Sequence, residues 1–203
     1  MDPTWDDVRA ALAAREPARV PDPAPSRAAV ALVLRGGRHG LELLFIRRAE
    51  HPQDPWSGQM AFPGGRAEPQ DSDLRATAVR ETAEEIGLEL TASATYLGAL
   101  DEVRAMARMR PMDLSIAPFV YRLTRPAVEL RLSPEVRSVH WLALDELLGP
   151  TRRSTMEYVY QGTALQFPCL RIEELVIWGL TYRMLSSFSS VLWPDELSGG
   201  PAA

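Results

Sequence analysis

Residues 28–35, AAVALVLR, are apolar at almost every position, a run of strand length. Turn chemistry follows at Gly36-Gly37 and His39-Gly40, and 41–48, LELLFIRR, reads as the second strand of a hairpin. The period becomes helical at both ends of the chain. Residues 4–15, TWDDVRAALAAR, predict a short helix with Thr4 as N-cap and Asp6 and Asp7 in its first turn. Residues 173–189 predict a long amphipathic helix with Leu175, Trp178, Tyr182 and Leu185 on one face. Gly179 on that face costs helix propensity but allows close packing. Four prolines in EPARVPDPAPSR make the segment after the first helix an extended connection. Further strands are expected at 94–103, running into a loop at 101–110, and at 114–123 and 139–144. Asp145 is expected to cap a short helix, and 153–172 to form a hairpin around Gln161-Gly162.

The richest patterning lies in 61–88, AFPGGRAEPQDSDLRATAVRETAEEIGL. A strand-like run ends at Gly64-Gly65, an acidic loop follows, and a helix carries Arg80, Glu81, Glu84 and Glu85. At about 100° per residue the three glutamates fall within roughly a third of the helix circumference. Val79, Ala83 and Ile86 fall nearly opposite, so the helix is expected to bury one face and gather carboxylates on the other. Like charges so close favour a cation among them, and oxygen ligands suit Mg²⁺ or Mn²⁺. The plainer alternative is a solvated acidic face. The flanks weigh against it: Gly64-Gly65 permits close backbone approach, and Gly87 supplies a C-terminal stop. Asp71, Ser72 and Asp73 all offer N-capping oxygens.

Composition narrows the classes. With 203 residues, 46% hydrophobic and 24% charged, the chain suits one compact domain with an ample core. A net charge of −5 disfavours a nucleic-acid partner held by phosphate neutralisation, but not a small phosphorylated substrate beside a metal ion. Cys169 stands alone, which leaves no intrachain disulfide or cysteine metal cluster, and it is expected in the core. Neither a signal-peptide pattern nor an 18-residue apolar run is present, so a cytoplasmic protein without membrane contact is expected.

The 61–88 stretch resembles the signature of the Nudix hydrolases, G-x5-E-x7-R-E-U-x-E-E-x-G-U with U a bulky aliphatic. Gly65, Arg80-Glu81, Glu84-Glu85, Gly87 and Leu88 match it. Asp71 stands in place of the usual Glu, Thr82 in place of an aliphatic, and eight residues rather than seven separate Asp71 from Arg80. Asp71 is thereby reduced to a loop acid, with Glu68 the other candidate. The wider HPQDPWSGQMAFPGGRAEPQD, with VIWGLTYRML, resembles the coenzyme A diphosphatase branch, which also carries the extra residue before Arg-Glu. Asp54 and Glu50 depart from that branch, where an arginine and a Ser or Ala are expected.

The resemblance implies an α/β (α+β) fold, an α/β/α sandwich around a mixed β-sheet. The chain is expected to divide into an N-terminal helix and Pro-rich connection at 1–27, a hydrolase domain at 28–190 and a disordered tail at 191–203. The resemblance implies cleavage of a diphosphate in a nucleoside diphosphate derivative with Mg²⁺ or Mn²⁺. Coenzyme A or an acyl-CoA is the first choice, ahead of ADP-ribose, NADH, dinucleoside polyphosphates and nucleoside triphosphates. Glu81, Glu85 and Glu84 are the implied metal ligands, with the Gly65 carbonyl, and Glu81 doubles as a candidate base. Glu135, shortly before the strand bearing Trp141, is a further ligand or base, and Arg80 orients the carboxylates. Arg47 and Arg48 at a strand end, and Arg104 and Arg108 in the 101–110 loop, are candidate phosphate contacts, with surface pairing the alternative. Trp56 either stacks on a base or packs locally. Homodimers are common among such enzymes. The competing reading is a non-catalytic module of the same fold that senses a nucleotide.

Overall fold

A computed structural model describes residues 3–20, 26–52, 54, 56–107, 110–125 and 129–193. Its centre is β1 (Ser26–Gly37), whose residues 28–34 are all buried because both faces of the strand are covered. The strand β1 hairpins antiparallel onto β2 (Gly40–Arg48) and runs parallel to β7 (Arg110–Leu123). Around this trio lie β3 (Met60–Ala61) and β8 (Val136–Ala143) on β2, β4 (Gly64–Arg66) on β1, and β5 (Ala94–Ala99) and β6 (Val103–Ala107) on β7. The result is a mixed eight-stranded sheet.

Alternation sends the two faces of β1 into separate cores. Val30, Leu32 and Leu34 point toward α1 (Trp5–Ala13), which contributes Val8 and Leu12, and α5 (Gly179–Leu192), which contributes Met184, Leu185 and Phe188. Ala29, Ala31 and Val33 point toward α2 (Leu74–Ile86) and the single turn α3 (Leu90–Ser93), with Ala78, Ile86 and Leu90. Helices therefore cover both faces. The hairpin of β1 and β2 and the helix at 74–86 lie where the hydrophobic pattern placed them, and Thr4 caps α1 through a capping box with Asp7.

Three expectations are corrected. The 173–189 stretch is a strand, β11 (Leu175–Trp178), followed by α5, rather than one helix. Gly179 takes φ of 61°, so it is the corner between the two and not a packing position inside a helix. With β9 (Arg153–Tyr160) and β10 (Thr163–Ile172), the expected hairpin, β11 completes a second, three-stranded sheet. Within the expected 101–110 loop, Val103–Ala107 form strand β6. The turn α4 (Leu144–Leu148) has Ala143 at its N-cap with no side-chain cap; the Asp145 carboxylate accepts the N–H of Glu146, one residue inside the turn. Cys169 is buried as expected. Residues 194–203 lie outside the described residues.

Candidate functional site

The helix α2 lies over β1 and β4, and its rotation differs from the sequence expectation. Thr77, Ala78, Thr82, Glu85 and Ile86 are its buried residues, whereas Val79 and Ala83 are only half-buried. Glu85 is 4% exposed, and the Glu81 side chain 17%. Glu84 projects outward at 59%. The helix thus presses two carboxylates toward the sheet rather than away from it. Space for them comes from the strand beneath. Gly65 has no side chain, and a Cβ there would collide with the Glu81 carboxylate. At Gly64, φ of 153° and the Ala29 carbonyl oxygen exclude a Cβ as well.

Each carboxylate has a distinct environment. Glu85 Oε2 accepts the Gly64 N–H at 2.9 Å, and Oε1 lies 3.9 Å from Arg48 Nη1. Burial pushes the Glu85 carboxyl up to about 7, a rise that the Gly64 bond and Arg48 only partly offset. Glu81 is also raised, first by burial, against the pull of Arg80. Glu135 adds to both shifts through its charge. Backbone bonds bring it there: Ser133 N–H donates to the Glu85 carbonyl at 2.8 Å, and Ala49 N–H to the Glu135 carbonyl at 2.8 Å. The Glu135 side chain is exposed.

Arg80 is the hub of the acidic side. Its Nε and Nη2 each donate at 2.9 Å to Asp71, one to either oxygen. Its Nη1 reaches Glu81 at 3.0 Å and Glu84 at 2.9 Å, and Nη2 also reaches the Arg66 carbonyl at 2.9 Å. Asp71 accepts the Thr77 hydroxyl too, and the Arg80 guanidinium holds its carboxyl well below the usual carboxylate range. Asp71 is therefore more than a loop acid, which corrects the reading from spacing alone. Glu68 stands 3.8 Å from Arg80, and Asp73 supplies the α2 N-cap.

Among the described residues, no three His, Cys, Asp or Glu side chains are gathered into a cation cage. The donor set nevertheless suits a hard cation. Glu85 is a buried carboxylate with one hydrogen bond and a distant guanidinium, and Glu81 stands one turn away over bare glycine backbone. Mg²⁺ is commonly held by one or two carboxylates, with water and substrate phosphates filling the remaining positions. A sheltered pair of acids over Gly64 and Gly65, which line a cavity, fits that pattern.

That cavity, of about 210 Å³, opens beside Gly64 and Gly65. Val30, Trp56, Phe62, Ile116 and Met184 make it largely apolar, while Arg48, Arg66 and Thr181 supply polar groups. Trp56 thus both packs on the core and walls the cavity. Arg66 was not singled out from the sequence; its position directly after Gly64-Gly65 was the available signal. Arg47, in contrast to Arg48, does not line the cavity, and its charge is felt by His140 across β8. Arg104 is tied to its own hairpin, 3.4 Å from the Met112 carbonyl and 3.8 Å from Asp113. Arg108 lies outside the described residues. Asp101 and Glu102 fasten the N-terminal connection, Asp101 through Arg15 and the Ala18 N–H, Glu102 through Arg27 and the Val20 N–H. Asp54 pairs with Arg48 at 2.8 Å and Glu50 with Arg137 at 3.2 Å, so neither acid stands alone.

The NUDIX domain family model matches residues 25–161. The mitochondrial coenzyme A diphosphatase NUDT8 of Mus musculus is 32% identical over 161 residues, covering 77% of this chain and 73% of its own. A probable nudix hydrolase of Schizosaccharomyces pombe, C6G9.05, is 29% identical over 179 residues; the match covers 87% of this chain but 60% of the yeast protein. Among solved structures, a MutT/nudix family protein from Enterococcus faecalis superposes with a TM-score of 0.54 at 16% identity, over 94% of this chain and 70% of that one. That likeness concerns the fold.

Proposed function

Because this chain belongs to the NUDIX family and is a hydrolase of pyrophosphate bonds in nucleotide compounds, we propose that its substrate is coenzyme A or an acyl-CoA. Cleavage of the diphosphate then gives 3′,5′-ADP and (acyl-)4′-phosphopantetheine. The observation that carries this reading is the largely apolar cavity lined by Gly64 and Gly65, whose Gly64 N–H is bonded to the buried Glu85. Its apolar lining suits an uncharged arm leaving the diphosphate. The likeness to NUDT8 supports the same choice.

Family members generally use divalent metal ions, and Mg²⁺ or Mn²⁺ is the ion proposed here. When bound, such an ion polarises a phosphoryl oxygen and makes water a stronger nucleophile. Glu85 and Glu81 are its proposed holders, with the Gly65 carbonyl and, at the rim, Glu84. Arg80, anchored by Asp71, fixes Glu81 and keeps its carboxylate over Gly65. Glu135, whose charge both acids feel, is the proposed acceptor of a proton from attacking water or a further metal ligand, with Glu81 the alternative base. Arg66, which lines the cavity, is the proposed phosphate contact; Arg48, whose Nε–Nη2 edge is taken by Asp54, and the sequence candidates Arg47, Arg104 and Arg108 rank after it.

A hydrolysis screen with Mg²⁺ tests the reading over coenzyme A, acetyl-CoA, ADP-ribose, NADH, dinucleoside polyphosphates and nucleoside triphosphates. Coenzyme A or acetyl-CoA should show the highest kcat/KM. If another nucleotide exceeded both by tenfold, the coenzyme A assignment would be lost. Tight binding across the panel with no product would favour the sensing module instead.

A further inference from the structure

Asp54 makes more bonds than a loop acid needs. Its Oδ2 accepts Arg48 Nε at 2.8 Å and also lies 2.8 Å from Nη2. Its Oδ1 accepts the Trp56 N–H at 3.0 Å. The loop is further pinned by Asp54 N–H to the His51 carbonyl and Ser57 N–H to the Asp54 carbonyl, both at 3.1 Å. Asp54 thus holds the Arg48 guanidinium and the Trp56 backbone, and both residues line the same cavity. The pair is largely sheltered, with Arg48 26% and Asp54 16% exposed.

The geometry has an electrostatic consequence. A guanidinium binds phosphate best through two parallel N–H donors. Here the Nε–Nη2 edge is occupied by Asp54, and Nη1 is turned toward Glu85 at 3.9 Å. The cavity lining therefore includes a charge-balanced Arg48 with one edge committed, beside apolar walls. We infer that Asp54 is a specificity-determining positioning residue: by holding and neutralising Arg48, it tunes the cavity to the uncharged arm of a diphosphate ester and against a further phosphate at that position. The inference rests on the diphosphatase reading and deepens it. It does not depend on which ester is cleaved.

The test compares two ligands in the same protein. One is the uncharged-arm ester, coenzyme A or ADP-ribose, whichever the wild type cleaves faster. The other is ATP, which carries a third phosphate, measured by kcat/KM or by Ki where it is not cleaved. In Asp54→Asn the loop keeps an acceptor for the Trp56 N–H, while Arg48 loses its counter-charge. Preference for ATP over the ester should rise at least about tenfold, mainly through KM or Ki, the scale of one added charge-assisted hydrogen bond. The double variant Arg48→Gln/Asp54→Asn removes both charges and should return the preference to the wild-type value. Asp54→Glu should stay near wild type as well. Parallel losses for both ligands in Asp54→Asn, or an unrestored preference in the double variant, would overturn the inference. Failure of wild type on coenzyme A alone would overturn only the substrate proposal.

Discussion

Glu85 offers the sharpest test, because its burial sets two effects against each other. Its carboxyl is 4% exposed, and its titration is carried from 4.5 to about 7. At about 1.4 kcal/mol per pH unit, this corresponds to about 3 kcal/mol favouring the protonated over the ionised form in the folded protein. The folded value lies above the unfolded one. Stability from this group is therefore full below about pH 4.5, falls as pH rises through about 7, and stays low above that. Glu85→Gln keeps the shape and an acceptor for the Gly64 N–H but removes the charge. In EDTA at pH 8, the variant should be more stable than wild type by up to about 3 kcal/mol, about 6–12 °C in Tm for a chain this size. At pH 4.5 the two should converge. Added Mg²⁺ should raise the Tm of wild type at pH 8 and leave the variant unmoved, while turnover of the variant falls by orders of magnitude. Thermal melts at two pH values, with and without Mg²⁺, check every step. A Glu85→Gln protein less stable than wild type at pH 8 in EDTA would show that ionised Glu85 stabilises the fold, and the reasoning would fail.

Gly65→Ala should act through Glu81, because the new Cβ and the Glu81 carboxylate cannot share the space. Displacement of about 1 Å in a positioned group costs about 100-fold, so kcat/KM should fall on that scale, and steady-state kinetics will show whether it does. Asp71→Asn should weaken the two-bond hold on Arg80 while sparing substrate contacts. The expected result is a lower kcat at nearly constant KM, and a change confined to KM would place Asp71 in substrate binding instead.

Much of the fold was legible because it depends on local pattern. The apolar 28–35 run, the glycine turn after it and the helix from Leu74 to a left-handed Gly87 are each dictated by residues close in sequence. What escaped depends on partners distant in the chain. The rotation of α2 could not be read from its own residues, since the space for Glu81 and Glu85 is created by Gly64 and Gly65 on another element. Counting residues demoted Asp71, yet a loop can absorb one extra residue and still deliver the carboxylate to Arg80. LVIW reads equally well as helix or strand in isolation; Glu173 at φ of 53° and Gly179 at 61° break the helix on both sides. The acids at 101 and 102 looked like parts of a substrate loop because nothing local reveals Arg15 and Arg27 as their partners.

The cavity is walled in part by Leu180, Thr181 and Met184 of α5, beyond the 25–161 stretch that matches the family model. Thr181 even ties that helix to the strand carrying Met60, through a 2.9 Å bond to its carbonyl. The acids and this wall of the cavity are thus written in separate parts of the chain. Exchange of the C-terminal helix between related proteins can reshape the cavity without touching α2, and drift there is free to retune preference while the chemistry stays constant. Excision of the matched stretch alone would keep the acids and lose a wall of the cavity.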